Sequence, residues 1–174
     1  MQIALSENRW SWAVSLISGL ALWAVCTVSH AEEAVLSDSA YGKIRFGEKL
    51  EVAKKLLGEP VPPATDLDEQ QCRQIVFKAY PDVYFMVEQG TITRAESVKP
   101  IATAIGFTVG SSLAEVQKKY PQAVLKPHAY TDGHYVILTS KDEKSALLME
   151  ENEGKIMVIR GGLVPSVNYI EGCL

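Results

Sequence analysis

Residues 44–58, IRFGEKLEVAKKLLG, carry the pattern on which the fold reading turns. Leu50, Ala53 and Leu57 fall at i, i+3 and i+7, while Glu51, Lys54 and Lys55 point away. That spacing predicts a short amphipathic helix stopped by Gly58, with Pro60 beyond it. Residues 109–121, VGSSLAEVQKKYP, follow the same scheme. Leu113, Val116 and Tyr120 make the apolar stripe, Ser112 and Glu115 read as a capping box, and Pro121 ends the helix. Gly47 aligns with Gly110, Leu50 with Leu113, Ala53 with Val116 and Lys55 with Lys118, an offset of 63. Downstream, Phe85 falls near Met149, Gly90 on Gly154 and Ile92 on Ile156, an offset of 64.

An offset held to one residue across a helix and a distal hairpin predicts a tandem repeat of about 60 residues. The first copy supplies strands near Arg73–Lys78, Val83–Glu88 and Thr91–Ser97, with Glu88-Gln89-Gly90 as a tight turn. The second supplies Tyr135–Ser140, Ala146–Glu150 and Lys155–Arg160, turning at residues 151–154. The expected fold class is therefore α+β: two tandem copies of a helix followed by an antiparallel three-stranded sheet, with one disulfide. Copies this small are marginal alone, so the halves are expected to share one sheet or pack closely. The divisions are residues 32–40 as a flexible leader, 41–98 as copy one and 99–174 as copy two with a C-terminal tail. A polar, proline-rich connection runs from Pro60 through Gln71 inside copy one. The stretches Val83–Val87 and Ile156–Ile159 are apolar on both faces, so either the helices cover one face and the neighbouring copy or the tail covers the other, or part of the second face is a partner site.

Residues 1–31 read differently. Trp12–Val28 carries no charge, follows a short polar head, and ends in Ser29-His30-Ala31, a small-x-small signal-peptidase site. This predicts a secretory signal peptide cleaved after Ala31, against the alternative of an uncleaved anchor helix. Cleavage removes Cys26 from the chain's three cysteines and leaves Cys72 and Cys173. In a periplasmic or extracellular compartment the expected state of that pair is a disulfide, the alternative being two free buried thiols.

The 174 residues are 47 % hydrophobic and 22 % charged, which excludes disordered and low-complexity classes. A net charge of −4 argues against a nucleic-acid partner, which needs a Lys/Arg surplus. No cofactor fingerprint is present. Gly110-Ser111-Ser112 is not a nucleophile elbow, and neither HExxH nor paired CxxC occurs. No catalytic residue is assigned, and the expected activity is non-enzymatic.

The candidate binding residues cluster in one window, His128, Tyr130, Asp132, His134 and Tyr135. Asp132-Gly133 is a turn signal that brings the two imidazoles within reach across a hairpin, with Asp132 as a nearby oxygen. A metal site would need a further ligand in a recognisable spacing, and none is assigned. The tyrosines and imidazoles offer flat amphipathic area with hydrogen-bonding tips, the composition of interface hot spots and of sugar-stacking platforms. Tyr135 also reads as a strand residue in the core. Glu150, Glu151 and Glu153 border a hairpin and read as a solvated charge run.

The pattern Ile44-x-Phe46-Gly47-x-x-Leu50-x-x-Ala53, with Phe107-x-Val109-Gly110-x-x-Leu113-x-x-Val116, resembles small helix-plus-sheet modules of bacterial envelope proteins. These are the outer-membrane assembly lipoproteins of the SmpA/OmlA kind and, in tandem form, the beta-lactamase-inhibitory protein. The resemblance covers two stretches of about 15 residues and implies a fold and a non-catalytic, protein-binding habit. Residues 127–135 and 169–173 also resemble stretches of uncharacterised secreted bacterial proteins. The expected function is an exported binding or inhibitory protein acting on another periplasmic or secreted protein, without stable membrane insertion after cleavage. The alternative is a small-ligand or glycan-binding protein using the Tyr/His loop; a metal-dependent hydrolase is the third reading.

Overall fold

The structure, a computed structural model, describes residues 33–61 and 72–173. The expected signal segment and residues 62–71 of the proline-rich connection lie outside the described residues. Among the described residues no helix is long and apolar enough to cross a membrane.

The chain opens with three two-residue strands, β1 (Val35–Leu36), β2 (Ala40–Tyr41) and β3 (Ile44–Arg45), followed by helix α1 (Leu50–Leu56). Next come β4 (Cys72–Ile75), β5 (Tyr84–Glu88), β6 (Thr91–Ser97) and the short β7 (Ala102–Thr103). Helix α2 (Leu113–Lys119) leads into β8 (Val124–Pro127), β9 (His134–Thr139), β10 (Ser145–Asn152) and β11 (Lys155–Leu163), and a 3-10 turn occupies Ser166–Asn168. The strands form two sheets, one of four in the order β3-β2-β1-β7 and one of seven in the order β4-β5-β6-β11-β10-β9-β8.

This corrects the expected α+β class of two helix-plus-three-strand copies. The described fold is mostly β, with two helices of seven residues each. The strands do not stop at a boundary between copies, because β6 pairs with β11 antiparallel, Arg160 opposite Glu96 and Gly162 opposite Arg94. β8 extends the far edge, and the expected leader arm contributes β1, whose Leu36 is fully buried. β1 pairs antiparallel with β2 and parallel with β7. Gly161 permits the small sheet to sit directly on the large one, since a β-carbon there would lie 2.1 Å from the Ser37 carbonyl oxygen.

Each helix is too short to be stable alone and is held by docking to a hairpin. At α1, Gly47 N–H donates to Ile92 O at 2.7 Å, Ile92 N–H to Glu48 O at 2.9 Å and Leu50 N–H to Gly90 O at 2.9 Å. At α2, Gly110 N–H donates to Ile156 O at 2.8 Å, Ile156 N–H to Ser111 O at 2.9 Å and Leu113 N–H to Gly154 O at 3.0 Å. The hairpin turns present those carbonyls through Gln89-Gly90 at φ 50° and 70° and Glu153-Gly154 at φ 50° and 78°, both residues left-handed as a type I′ turn requires. The expected capping box is absent: Ser112 makes no side-chain cap bond, and Ser111 Oγ instead accepts the Thr108 N–H at 2.9 Å. Docking to the hairpin occupies the start of the helix that a cap would otherwise serve.

One face of the large sheet carries Phe85, Val87, Ile92, Ala95, Leu147, Met149 and Ile159 under the helices and the small sheet. The other carries a second cluster, Tyr135, Ile137, Ala146 and Leu148, closed by Val167 from the tail. Two buried faces explain why these strands do not alternate cleanly. Cys72 on edge strand β4 is joined to Cys173 by a disulfide, with Cα atoms 5.1 Å apart.

Candidate functional site

The loop between β8 and β9 is closed by His128 N–H donating to Gly133 O at 3.0 Å. Gly133 is pressed against the end of β10, where a β-carbon would lie 1.8 Å from the Glu151 carbonyl oxygen. That contact fixes the loop to the sheet and leaves Asp132 exposed at its tip. The His128 ring stacks on Tyr135, centroids 4.5 Å apart at 28°, and meets Tyr130 edge-on at 6.2 Å. Tyr135 is buried, and its hydroxyl accepts the Ala129 N–H at 3.4 Å.

The two imidazoles do not converge. In the β9–β10 pairing Tyr135 stands opposite Glu150 and His134 opposite Glu151, and consecutive residues of a strand point to opposite faces. Accordingly His128 Nε2 lies 3.5 Å from Glu150, on the tail side, whereas His134 Nδ1 lies 3.0 Å from Glu151. Glu151 is buried and also accepts the Gly154 N–H at 2.6 Å. Burial pushes its carboxyl up, but the bonds from His134 and Gly154 outweigh that and hold it below its ordinary range. The reading of residues 150–153 as a solvated charge run therefore fails at Glu151. Among the described residues no three His, Cys, Asp or Glu side chains are grouped to hold a metal ion. Neither histidine there bonds to a serine, threonine or cysteine side chain.

His128 and Glu150 instead terminate a row of charged side chains crossing the tail-covered face. Arg160 Nη2 donates to Glu150, and Arg160 Nε lies 3.5 Å from Glu96. Arg94, 2 % exposed, pairs with Glu96 at 3.0 Å. Burial lowers the Arg94 guanidinium from its ordinary range, against the opposing pull of Glu96. Both arginines also bind the tail backbone. Arg94 Nη1 donates to Ser166 O at 3.3 Å and Tyr169 O at 3.2 Å, and Arg160 Nη1 to Tyr169 O at 2.9 Å. Glu88 completes the attachment by accepting from Ser166 Oγ, and from Thr93 Oγ1 at 2.6 Å. Charge-assisted bonds of this kind fix geometry as well as adding energy.

The tail and the end of β8 flank a groove of about 270 Å³. Tyr135, Ile137 and Leu148 form its floor, Lys126 and Pro127 one wall, and Asn168 and Ile170 of the tail the other. Ile170 is 48 % exposed and Tyr130 69 % exposed. The Tyr130 hydroxyl donates to Glu171, and that bond raises the phenol above its ordinary ionisation range. Of the candidate residues, the structure thus brings His128, Tyr130 and Tyr135 together beside the groove, leaves Asp132 at the loop tip, and turns His134 to the other face. Arg94, Arg160 and Ile170 went unnoticed in the sequence. The signal for Arg94 was available, as a lone cation in the middle of the strand TITRAES. Larger clefts of about 370 Å³ beside Ile105 and Tyr120, and about 640 Å³ beside Phe46 and Leu56, lie away from this loop.

Compared with known protein families, curated proteins and solved structures, the chain matches none of them.

Proposed function

We propose that this protein is an exported, non-catalytic binding protein that holds an apolar segment of another secreted or periplasmic protein in the groove between β8–β10 and the tail. The groove itself carries the reading: an apolar floor of Tyr135, Ile137 and Leu148, with exposed Ile170 in its wall and exposed Tyr130 bonded to the adjoining Glu171. Pockets that orient a ligand by a few polar groups around an apolar floor are the usual form of such sites. An exposed tyrosine contributes large contact area at little entropic cost. Lys126 and Asn168 give the walls polar ends. The disulfide supports export, since such bonds persist in oxidising compartments, and the apolar segment ending at Ala31 supplies the route. The likeness to protein-binding envelope modules points the same way.

The test presents the immobilised oxidised protein to an extract of exported proteins, and separately to peptidoglycan and soluble glycans. Recovery of one protein partner, lost in Tyr130→Ala, supports the reading. Retention of glycan with no protein overturns it in favour of carbohydrate binding.

A further inference from the structure

The tail is attached in two unequal halves. Its first half is built into the fold: Val167 is fully buried in the second apolar cluster, and Ser166 is bound through both its hydroxyl and its carbonyl. Beyond Tyr169, whose carbonyl takes both arginines, the side chains turn outward, with Ile170 and Glu171 exposed. Among the described residues two bonds hold this second half, the exposed one from Tyr130 to Glu171 and the Cys72–Cys173 disulfide on edge strand β4, and Gly172 lies against the Gln74 side chain. Both cysteines are half-buried, within reach of an attacking thiolate. The second half also carries Ile170, one wall of the groove.

We propose that residues 170–173 are a redox-locked strap, and that reduction of Cys72–Cys173 by a dithiol releases them and removes one wall of the groove, while Val167 stays seated. This rests on the reading of the groove as a binding site and makes binding a property of the oxidised chain. In the exchange, a thiolate of the dithiol attacks one sulfur of the bridge, breaking S–S and forming a mixed disulfide. Its second thiol then displaces the protein sulfur. The dithiol gives up two electrons and two protons and becomes a disulfide; Cys72 and Cys173 end as thiols. Nothing else need move: Arg94 and Arg160 keep the Tyr169 carbonyl, and the exposed bond from Tyr130 is too weak to hold a free chain end.

The experiment needs no ligand, so its failure is distinguishable from failure of the binding reading. Full-length oxidised protein, the same protein held in excess dithiothreitol, and Cys173→Ser are digested briefly with a cysteine-free glutamyl endopeptidase. Cleavage at Glu171–Gly172, inside the strap, is read by mass after quenching and reducing all samples, with circular dichroism recorded beforehand. When closing is fast, cleavage tracks the population of the open form, so the expected result is cleavage about tenfold faster or more in the reduced and Cys173→Ser proteins. Their circular dichroism stays that of the oxidised protein. Equal cleavage in all three overturns the proposal. So does loss of the β-sheet signal on reduction, because the bridge would then staple the whole fold rather than lock its last residues.

Discussion

Arg160 holds Tyr169 and Glu150 at once, donating to the tail carbonyl at 2.9 Å through Nη1 and to the β10 carboxylate through Nη2. One guanidinium thus couples the tail to the same glutamate that meets His128 of the loop. Both sides of the groove are therefore referred to a single buried charge pair, and its removal should be felt as stability before it is felt as binding.

Arg160→Met leaves Glu150 and Glu96 without their shared cation on a largely buried face. Removing one partner of a buried pair costs about 3–5 kcal/mol. Urea denaturation should show a loss in that range; a change below about 1 kcal/mol, the value of a surface pair, would contradict the burial of the network.

Val167→Ala tests the anchored half of the tail. Val167 is fully buried against Tyr135, Ile137, Ala146 and Leu148. Two methyl groups removed at about 0.8 kcal/mol each, with a cavity term added, predict a loss of about 1.5–2.5 kcal/mol. No measurable loss would mean that the tail does not close the second cluster.

Cys72→Ser should lower stability by about 2–4 kcal/mol, because the bridge closes a long loop spanning 101 residues. Denaturation of the oxidised wild type against the variant, both without reductant, measures it. Equal midpoints would contradict the pairing.

The acid limb of stability has a contributor in Glu151, in addition to the exposed Asp142, whose carboxyl is lowered by bonds from Ser140 and Lys144. The Glu151 carboxyl is depressed below its ordinary value of 4.5 by the bonds from His134 and Gly154, which outweigh its burial. A carboxyl depressed in the folded state adds stability above its unfolded value and loses it as pH falls through the folded one. The wild-type Tm should therefore drop on acidification below pH 4.5. Glu151→Gln should be less stable at neutral pH and show a flatter acid limb; parallel profiles would contradict the assignment.

The long hairpins were legible in the sequence, because short apolar runs and the turn residues Gln89-Gly90 and Glu153-Gly154 mark them locally. Strands β1, β2, β3 and β7 were not, since two residues carry no periodicity and exist only through pairings such as Val35 with Ala102, far apart in the chain. The same limit left open whether the halves share one sheet or only pack closely, which the β6–β11 pairing decides in favour of one sheet. The bridge was readable because the expected cleavage after Ala31 leaves Cys72 and Cys173 as the one pair. In the candidate site the residue types of the Tyr/His loop drew attention to the right hairpin, but its strand register, which sends His128 and His134 to opposite faces, was invisible. Ile170 and the two arginines became part of the site only once the tail folded back over the sheet.

The groove between β8–β10 and the tail is the proposed place of contact with a partner protein. The most direct measurement is the affinity of the captured partner for the oxidised protein and for variants at two positions of similar exposure, Ile170→Asp at the groove wall and Val52→Asp on the outer side of α1. Burial of a carboxylate in place of an apolar contact predicts at least about a tenfold loss for Ile170→Asp, with Val52→Asp binding as wild type does. Undiminished affinity in Ile170→Asp, or equal losses in both variants, would contradict it.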